Sequence, residues 1–166
     1  QIAAAGYETS DLFAASFSIQ DLSDSAVFSR SQIAAAGYNA TDLFGAGFGI
    51  QDLSGSAVFT RSEIAAAGYE TSDLFAAGIT IQDMSNSAAF GRVEIAAAGY
   101  SAVDLFAASF SIQDLSDSTV FTRPEIAAAG YSATDLFAAG FSIQDLSNST
   151  VFTRPTIAAA GYSTVD

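Results

Sequence analysis

The sequence predicts an all-α fold, a right- or left-handed solenoid of very short helices with three helices in each 31-residue coil. Three observations predict it. The hexapeptide Ile-Ala-Ala-Ala-Gly-Tyr begins at Ile2 and restarts at Ile33, Ile64, Ile95, Ile126 and Ile157 without an insertion. Inside each period a shorter frame recurs at spacings of 10, 11 and 10 residues: an aromatic residue, a small polar residue, two variable residues, usually an acid, then Leu or Ile. Gly, Ser, Asp or Asn then interrupts the chain after each frame. A fixed period of this size marks an array in which each unit buries its apolar face against the next. The sequence is thus one array over 1–166, with complete repeats at 2–32, 33–63, 64–94, 95–125 and 126–156 and a partial repeat at 157–166.

The frame has a mechanism at each helix start. The small polar residue is an N-cap candidate, and the acid three positions later closes a capping box with it. Thr122-Arg123-Pro124-Glu125 carries the full box, with Pro in the first turn, where backbone N–H groups have no helical partner. The aromatic residue falls at N′ and the Leu or Ile at N4, the two ends of a hydrophobic staple; Tyr7 with Leu12, Phe17 with Leu22 and Phe28 with Ile33 form one set of three arms. The exceptions are local. Glu8 and Glu70 are poor caps where Asn39, Ser101 and Ser132 are good ones, Gly49 and Gly91 are weak, and Thr156 replaces the acid.

Each arm also has a stop. The first arm meets Ser16 or a Gly in the same column, the third meets Gly37 and its counterparts, and the second meets Asp24, Gly55, Asn86, Asp117 or Asn148 as its expected left-handed C′ residue. Helices of about six or seven residues follow, too short to survive without stacking. The expected core is the staple pairs together with the Ala15, Ile19 and Ala36 columns. A β-solenoid or a leucine-rich-like coil is the alternative, since Phe17-Ser18-Ile19 and Thr119-Val120-Phe121-Thr122 also pass for short strands. Ala-Ala-Ala is a poor strand, however, and neither alternative accounts for the staple and box.

Composition excludes several chemistries. With no Cys and no His there is no thiol nucleophile, imidazole base or disulfide. Eighteen acids against five basic residues give a net charge of −13, which disfavours nucleic acid and anionic membrane as partners. No apolar run approaches the roughly 20 residues that span a bilayer, so membrane insertion is not expected. The chain opens on Gln1 and stops in the tenth column of a repeat, with no polar cap at either end. The expectation is a piece of a longer protein, or one whose ends a partner covers.

The segments Ala129-Gly130-Tyr131-Ser132-Ala133-Thr134-Asp135-Leu136 and Ala139-Gly140-Phe141-Ser142-Ile143-Gln144-Asp145-Leu146 resemble the AG[FY]SxxDL-type short helical repeats that occur in tandem in some large bacterial and viral proteins. The resemblance covers the whole chain and implies the helical fold; it implies no activity. The third arm, Phe121-Thr122-Arg123-Pro124-Glu125-Ile126, departs from an even tandem of decamers.

Three sets of columns carry the candidate chemistry. Asp11, Asp42, Asp73, Asp104, Asp135 and Asp166 form one acidic series, and Asp21, Asp52, Asp83, Asp114 and Asp145 another. Paired carboxylates hydrolyse glycosides or bind Ca²⁺ when they face one another, but at N3 these residues are first of all capping acids. No calcium-loop pattern appears, and no metal or other cofactor is expected. Arg30, Arg61, Arg92, Arg123 and Arg154 are the only cations, one per coil, in a first helical turn that the dipole disfavours. They are expected to pair with carboxylates of the same or an adjacent coil. Phe13, Phe44, Phe75, Phe106 and Phe137 follow the staple Leu and either fill a wider corner of the coil or face outward as an apolar assembly stripe.

No serine has an activating base, and Gly45-Ala46-Gly47-Phe48-Gly49 fits neither phosphate-binding glycine pattern. Seventeen of the 31 columns hold one residue type in all five complete repeats, which leaves few places for the asymmetric site an enzyme needs. The expected function is non-enzymatic: a structural or assembly repeat module, a spacer or filament-forming segment of a larger surface or extracellular protein. Its expected partners are copies of itself or other chains of the same assembly. The alternative is a binding or adhesion module presenting its aromatic and acidic ladders to a glycan, a peptide or Ca²⁺. A plain spacer should bury the Phe and Tyr columns; a binding module should leave them partly exposed.

Overall fold

Capping chemistry starts the helices where the frame places it. In the computed structural model the described residues, 6–162, contain fifteen short α-helices and no strand. The first coil gives α1 (Thr9–Ala14), α2 (Ile19–Asp24) and α3 (Arg30–Ala34), and the second α4 (Ala40–Gly45), α5 (Ile50–Gly55) and α6 (Arg61–Ala65). The third gives α7 (Thr71–Ala76), α8 (Ile81–Ser87) and α9 (Arg92–Ala96), and the fourth α10 (Ala102–Ala107), α11 (Ile112–Asp117) and α12 (Arg123–Ala128). The last gives α13 (Ala133–Ala138), α14 (Ile143–Asn148) and α15 (Arg154–Ala159). The third-arm helices α3, α6 and α9 have only five residues, one short of the expected length. Ile2 and Asp166 lie outside the described residues.

The boxes are built as hydrogen-bond pairs. At α2, the Asp21 N–H donates to Ser18 Oγ at 3.1 Å, and the Ser18 N–H and hydroxyl donate to Asp21 Oδ2 at 2.9 and 2.6 Å. Where Gly49 and Gly91 stand at the cap, only the returning half remains, their N–H groups donating to Asp52 and Glu94 at 2.9 and 2.7 Å. Glu8 and Glu70 make no side-chain cap bond.

The first arm ends in a Schellman turn. The Phe17 N–H donates to the Leu12 carbonyl at 3.0 Å and the Ser16 N–H to the Phe13 carbonyl at 2.8 Å, with Ser16 at φ 64°. Gly47, Gly78 and Gly140 take the same turn without a Cβ in the left-handed region.

The second arm ends differently from expectation. Asp24, Gly55, Asp117 and Asn148 are the last helical residues, and the left-handed residue comes two positions later, at Ala26, Ala57, Thr119 and Thr150; in α8 the residue two after Asn86, Ala88, does the same. The intervening serine explains the delay: the Ser25 hydroxyl donates to the Leu22 carbonyl at 2.6 Å, satisfying a helix-end acceptor. Ser56, Ser87, Ser118 and Ser149 repeat the bond at 2.6–2.7 Å. Asp24, Asn86, Asp117 and Asn148 instead accept from the glutamine one turn earlier, as Gln20 Nε2 does to Asp24 Oδ1 at 2.7 Å.

The chain forms two compact units, Gln1–Ala89 and Phe90–Asp166. In the first, third-arm helices pack on the second-arm helix of the following coil, α3 on α5 and α6 on α8. The second repeats this with α9 on α11 and α12 on α14, and adds α10 on α12 and α13 on α15. The N4 residues fill both cores: Leu12, Leu22, Ile33, Leu43, Leu53, Ile64, Leu74 and Met84 in one, Ile95, Leu105, Leu115, Ile126, Leu136, Leu146 and Ile157 in the other, all buried. Each such side chain is worth about 1.5–3 kcal/mol when fully covered. The Ala36 column is buried, whereas the Ala15 column is not: Ala15, Ala46 and Ala139 are exposed and Ala77 and Ala108 half-buried. Ala15 is the C-cap of α1, where the turn lifts the chain off the core. Its expected close-packing role belongs to Ala34, Ala65, Ala96 and Ala127, which follow the third-arm Ile.

Candidate functional site

Two coil-to-coil locks gather the candidate columns. The first uses the first-arm Phe. The ring of Phe13 meets Tyr38 of the next coil edge-to-face at 4.8 Å between centroids, and Phe44–Tyr69, Phe106–Tyr131 and Phe137–Tyr162 repeat the geometry at 4.7–4.8 Å. The same rings lie over the third-arm glycine. A Cβ on Gly37, Gly68 or Gly130 would sit 2.6–2.8 Å from a carbon of Phe13, Phe44 or Phe106, and each glycine has a φ between +118° and +126°. Gly is therefore required there for space and for backbone conformation at once. The five Phe are 38–40% exposed, neither sealed in a corner of their own coil nor standing out as an open stripe.

The tyrosine completes this lock. Tyr38 donates its hydroxyl to the Phe17 carbonyl at 2.5 Å, Tyr69 to Phe48 at 2.6 Å, Tyr131 to Phe110 at 2.5 Å and Tyr162 to Phe141 at 2.6 Å. Burial, then the negative charge of Asp114, pushes the Tyr131 hydroxyl up to about 12. Burial likewise raises Tyr38 and Tyr69, with Asp21 and Asp52 adding to it.

The second lock uses the arginine. Arg30 Nε lies 3.0 Å from Asp52 Oδ2, its guanidinium stacks on the Phe48 ring at 4.3 Å, and its Nη2 donates to the Gly47 carbonyl at 2.5 Å. Arg92 pairs with Asp114 at 2.9 Å, stacks on Phe110 at 4.1 Å and donates to the Ser109 carbonyl. Arg123 pairs with Asp145 at 3.1 Å, stacks on Phe141 at 4.3 Å and donates to Gly140 at 2.5 Å. Arg61 reaches Gly78 at 2.7 Å, but Asp83 stands 3.9 Å away, and Ile79 occupies the place of the ring. The equivalent partner positions of Arg154 would fall beyond residue 166.

Schellman corners are thus gripped from both sides. Gly47 and Phe48 offer successive carbonyls, one to Arg30 of the preceding coil and one to Tyr69 of the following coil. Ser109 and Phe110 do the same for Arg92 and Tyr131, as do Gly140 and Phe141 for Arg123 and Tyr162.

The two acidic series differ. Asp52, Asp83, Asp114 and Asp145 of the second arm serve both the cap and the arginine of the preceding coil. Burial alone would raise Asp114 and Asp145, but the amides of Ser111 and Ser142, their hydroxyls, and Arg92 and Arg123 hold both carboxyls below the usual range. Asp21, with only its Ser18 bonds, is also lowered. In the first arm Asp42, Asp104 and Asp135 bond only their cap residues Asn39, Ser101 and Ser132, and Asp11 accepts a 3.4 Å bond from the Glu8 N–H. Asp73 N–H donates to the Glu70 carbonyl. Among the described residues no three carboxylates come together as a metal site, and no helix is long and apolar enough to cross a membrane.

Reasoning from the frame missed the partners of these locks: the Phe48-column ring under the guanidinium and the two corner carbonyls. It also missed an open groove of about 450 Å³ in the second coil, lined by Tyr38, Asn39, Thr41, Val58, Phe59 and Glu63 among others. No protein-family model matches the chain, and no curated protein or solved structure matches it.

Proposed function

We propose that this chain is a non-enzymatic structural repeat module, a solenoid of three-helix coils that acts as a spacer or assembly segment of a larger protein at a cell or particle surface or outside the cell. The double grip on the corners carries the reading. Phe13, Phe44, Phe106 and Phe137 with their tyrosines, and Arg30, Arg61, Arg92 and Arg123, engage the neighbouring coil, and Asp52, Asp83, Asp114 and Asp145 serve both a cap and an arginine. Side chains committed in this way transmit load between coils. The exposed valines, 27 and 58 in the first unit and 120 and 151 in the second, each 51–56% accessible, give each unit apolar surface for contact with its own kind or with other chains of the assembly.

The experiment is a series of chains with three, five and seven repeats, measured by small-angle X-ray scattering. A spacer of this kind lengthens by a constant step of roughly 8–10 Å per added coil, the spacing of packed helix layers. A maximum dimension that grows only as the cube root of mass would overturn it. Chain melting followed by circular dichroism should move upward with repeat number, as nearest-neighbour stacking requires.

A further inference from the structure

We infer that the second-coil groove is a docking site for a basic peptide segment, with an arginine or lysine side chain of the partner seated between Tyr38 and Phe59 and directed to Glu63. The inference goes beyond the spacer reading and does not rest on it. Its volume, about 450 Å³, is that of a site for a side chain and its flanking backbone. Two half-buried rings, Tyr38 and Phe59, stand in its lining with the exposed Val58. Aromatic faces of this kind attract a cation and cover its alkyl stem.

Glu63 supplies the countercharge. The Thr60 N–H and hydroxyl both bond Glu63 Oε2, at 2.7 and 2.8 Å, and these bonds lower its pKa, so the group is ionised at neutral pH. Both capping bonds fall on one oxygen, and the carboxylate has a second oxygen to offer. Thr41 adds a hydroxyl to the lining.

Charge decides the occupant. The chain carries −13 with no lysine, and four of its five arginines are held against Asp52, Asp83, Asp114 and Asp145. The nearest cation in sequence, Arg61, is turned to Gly78 and Asp83. A segment bringing positive charge therefore meets attraction at long range and a carboxylate at contact, whereas a neutral glycan gains only the rings. The Glu63 column keeps its acid in Glu94 and Glu125 but holds Gln32 in the first repeat and Thr156 in the last.

That variation supplies the control. Gln32 closes the same capping box, its Oε1 accepting from the Ser29 N–H at 2.9 Å, so Glu63→Gln removes the charge while leaving the helix start intact. The test is a titration of the full chain with the peptide acetyl-Gly-Arg-Gly-Arg-Gly-amide in 150 mM salt, followed by amide NMR, with acetyl-Gly-Gln-Gly-Gln-Gly-amide and chitotriose as comparison probes. Saturable shifts at Tyr38, Thr41, Val58 and Glu63 with the arginine peptide, about twofold to fourfold weaker in Glu63→Gln, are expected. Shifts spread evenly over surface acids, equal binding by Glu63→Gln, or occupancy of the groove by chitotriose but not by the arginine peptide would each overturn the assignment.

Discussion

The joint made by Arg61 and the joints made by Arg30, Arg92 and Arg123 differ by one side chain beneath the guanidinium. Where Phe48, Phe110 or Phe141 lies under it, the arginine stacks at 4.1–4.3 Å and meets its aspartate at 2.9–3.1 Å. Where Ile79 replaces the ring, the carbonyl bond to Gly78 survives at 2.7 Å but the aspartate recedes to 3.9 Å. The ring is thus a platform that sets the reach of the cation, and the ion pair depends on it. Exposed ion pairs are worth well under 1 kcal/mol by themselves, so the arginine lock tunes a joint whose main strength lies in the packed N4 residues and the Phe–Tyr–Gly lock. That second lock does not vary in kind: the Phe, Gly and Tyr columns are invariant across the complete repeats.

Breaking the invariant lock should therefore have the largest effect. Gly130→Ala forces a Cβ to 2.6 Å from the Phe106 ring at a φ of +126°. The ring must swing off Tyr131, losing an edge-to-face contact, and the backbone must hold a conformation that only glycine adopts easily. We expect a loss of about 2–3 kcal/mol, read as a lower urea midpoint with reduced exchange protection in α12. Gly45→Ala is its control. That glycine lies inside α4 with nothing within 4 Å, and the other four coils hold alanine there; it should gain about 0.5–1 kcal/mol.

The variable lock can be exchanged in both directions. Phe110→Ile converts the Arg92 joint to the Arg61 type and should cost about 1–2 kcal/mol, part of it buried area and part the lost cation–π contact. Ile79→Phe should return about 0.5–1 kcal/mol and draw Arg61 toward Asp83, visible as slower exchange of the Arg61 Nε proton. If the second substitution stabilises without slowing that proton, the ring contributes only area, and the platform interpretation fails.

These joints mark the boundary of what sequence shows. Helix starts were legible because Ser18, Asp21 and Leu22 carry the cap, the box and the staple within five residues. The third-arm stop was legible because Gly37 is the same in every repeat. The second-arm stop was misplaced by two residues because alanine and threonine have no preference that announces a left-handed backbone, and the competing Ser25-to-Leu22 bond has no pattern of its own. Ala15 was expected in the core as a small residue between close helices, yet the Schellman turn moves it away. Among the candidate columns, an aspartate partner for arginine was foreseeable from charge alone. That Arg92 also finds Phe110 and the Ser109 carbonyl depends on how one coil seats on the next, which a repeating sequence encodes only through the fold.

The smallest effect isolates the two locks by pH. Asp114 has a lowered pKa in the fold, so its stabilisation is present above the ordinary carboxylate range and is lost as pH falls through the folded value. Loosening Arg92 by Phe110→Ile takes away one of the interactions that hold that pKa down. The carboxyl should then titrate higher, and the stability it loses in acid should be smaller and run out at a higher pH, because the onset is set by the unfolded carboxyl. Tyr131 works in the opposite direction: its hydroxyl is raised to about 12, so its contribution is complete below pH 10 and fades between there and about 12. Its bond goes to the backbone carbonyl of residue 110, which isoleucine retains. Burial is the first cause of the Tyr131 shift and Arg92, which lowers it, the last, so Phe110→Ile should flatten the acid limb of the stability–pH curve and change the alkaline limb much less, as followed by urea midpoints from pH 3 to 12 with carboxyl ¹³C titration of Asp114. An equal change in both limbs would mean that the two locks form one cooperative contact, and the separation between an invariant joint and an adjustable one would have to be abandoned.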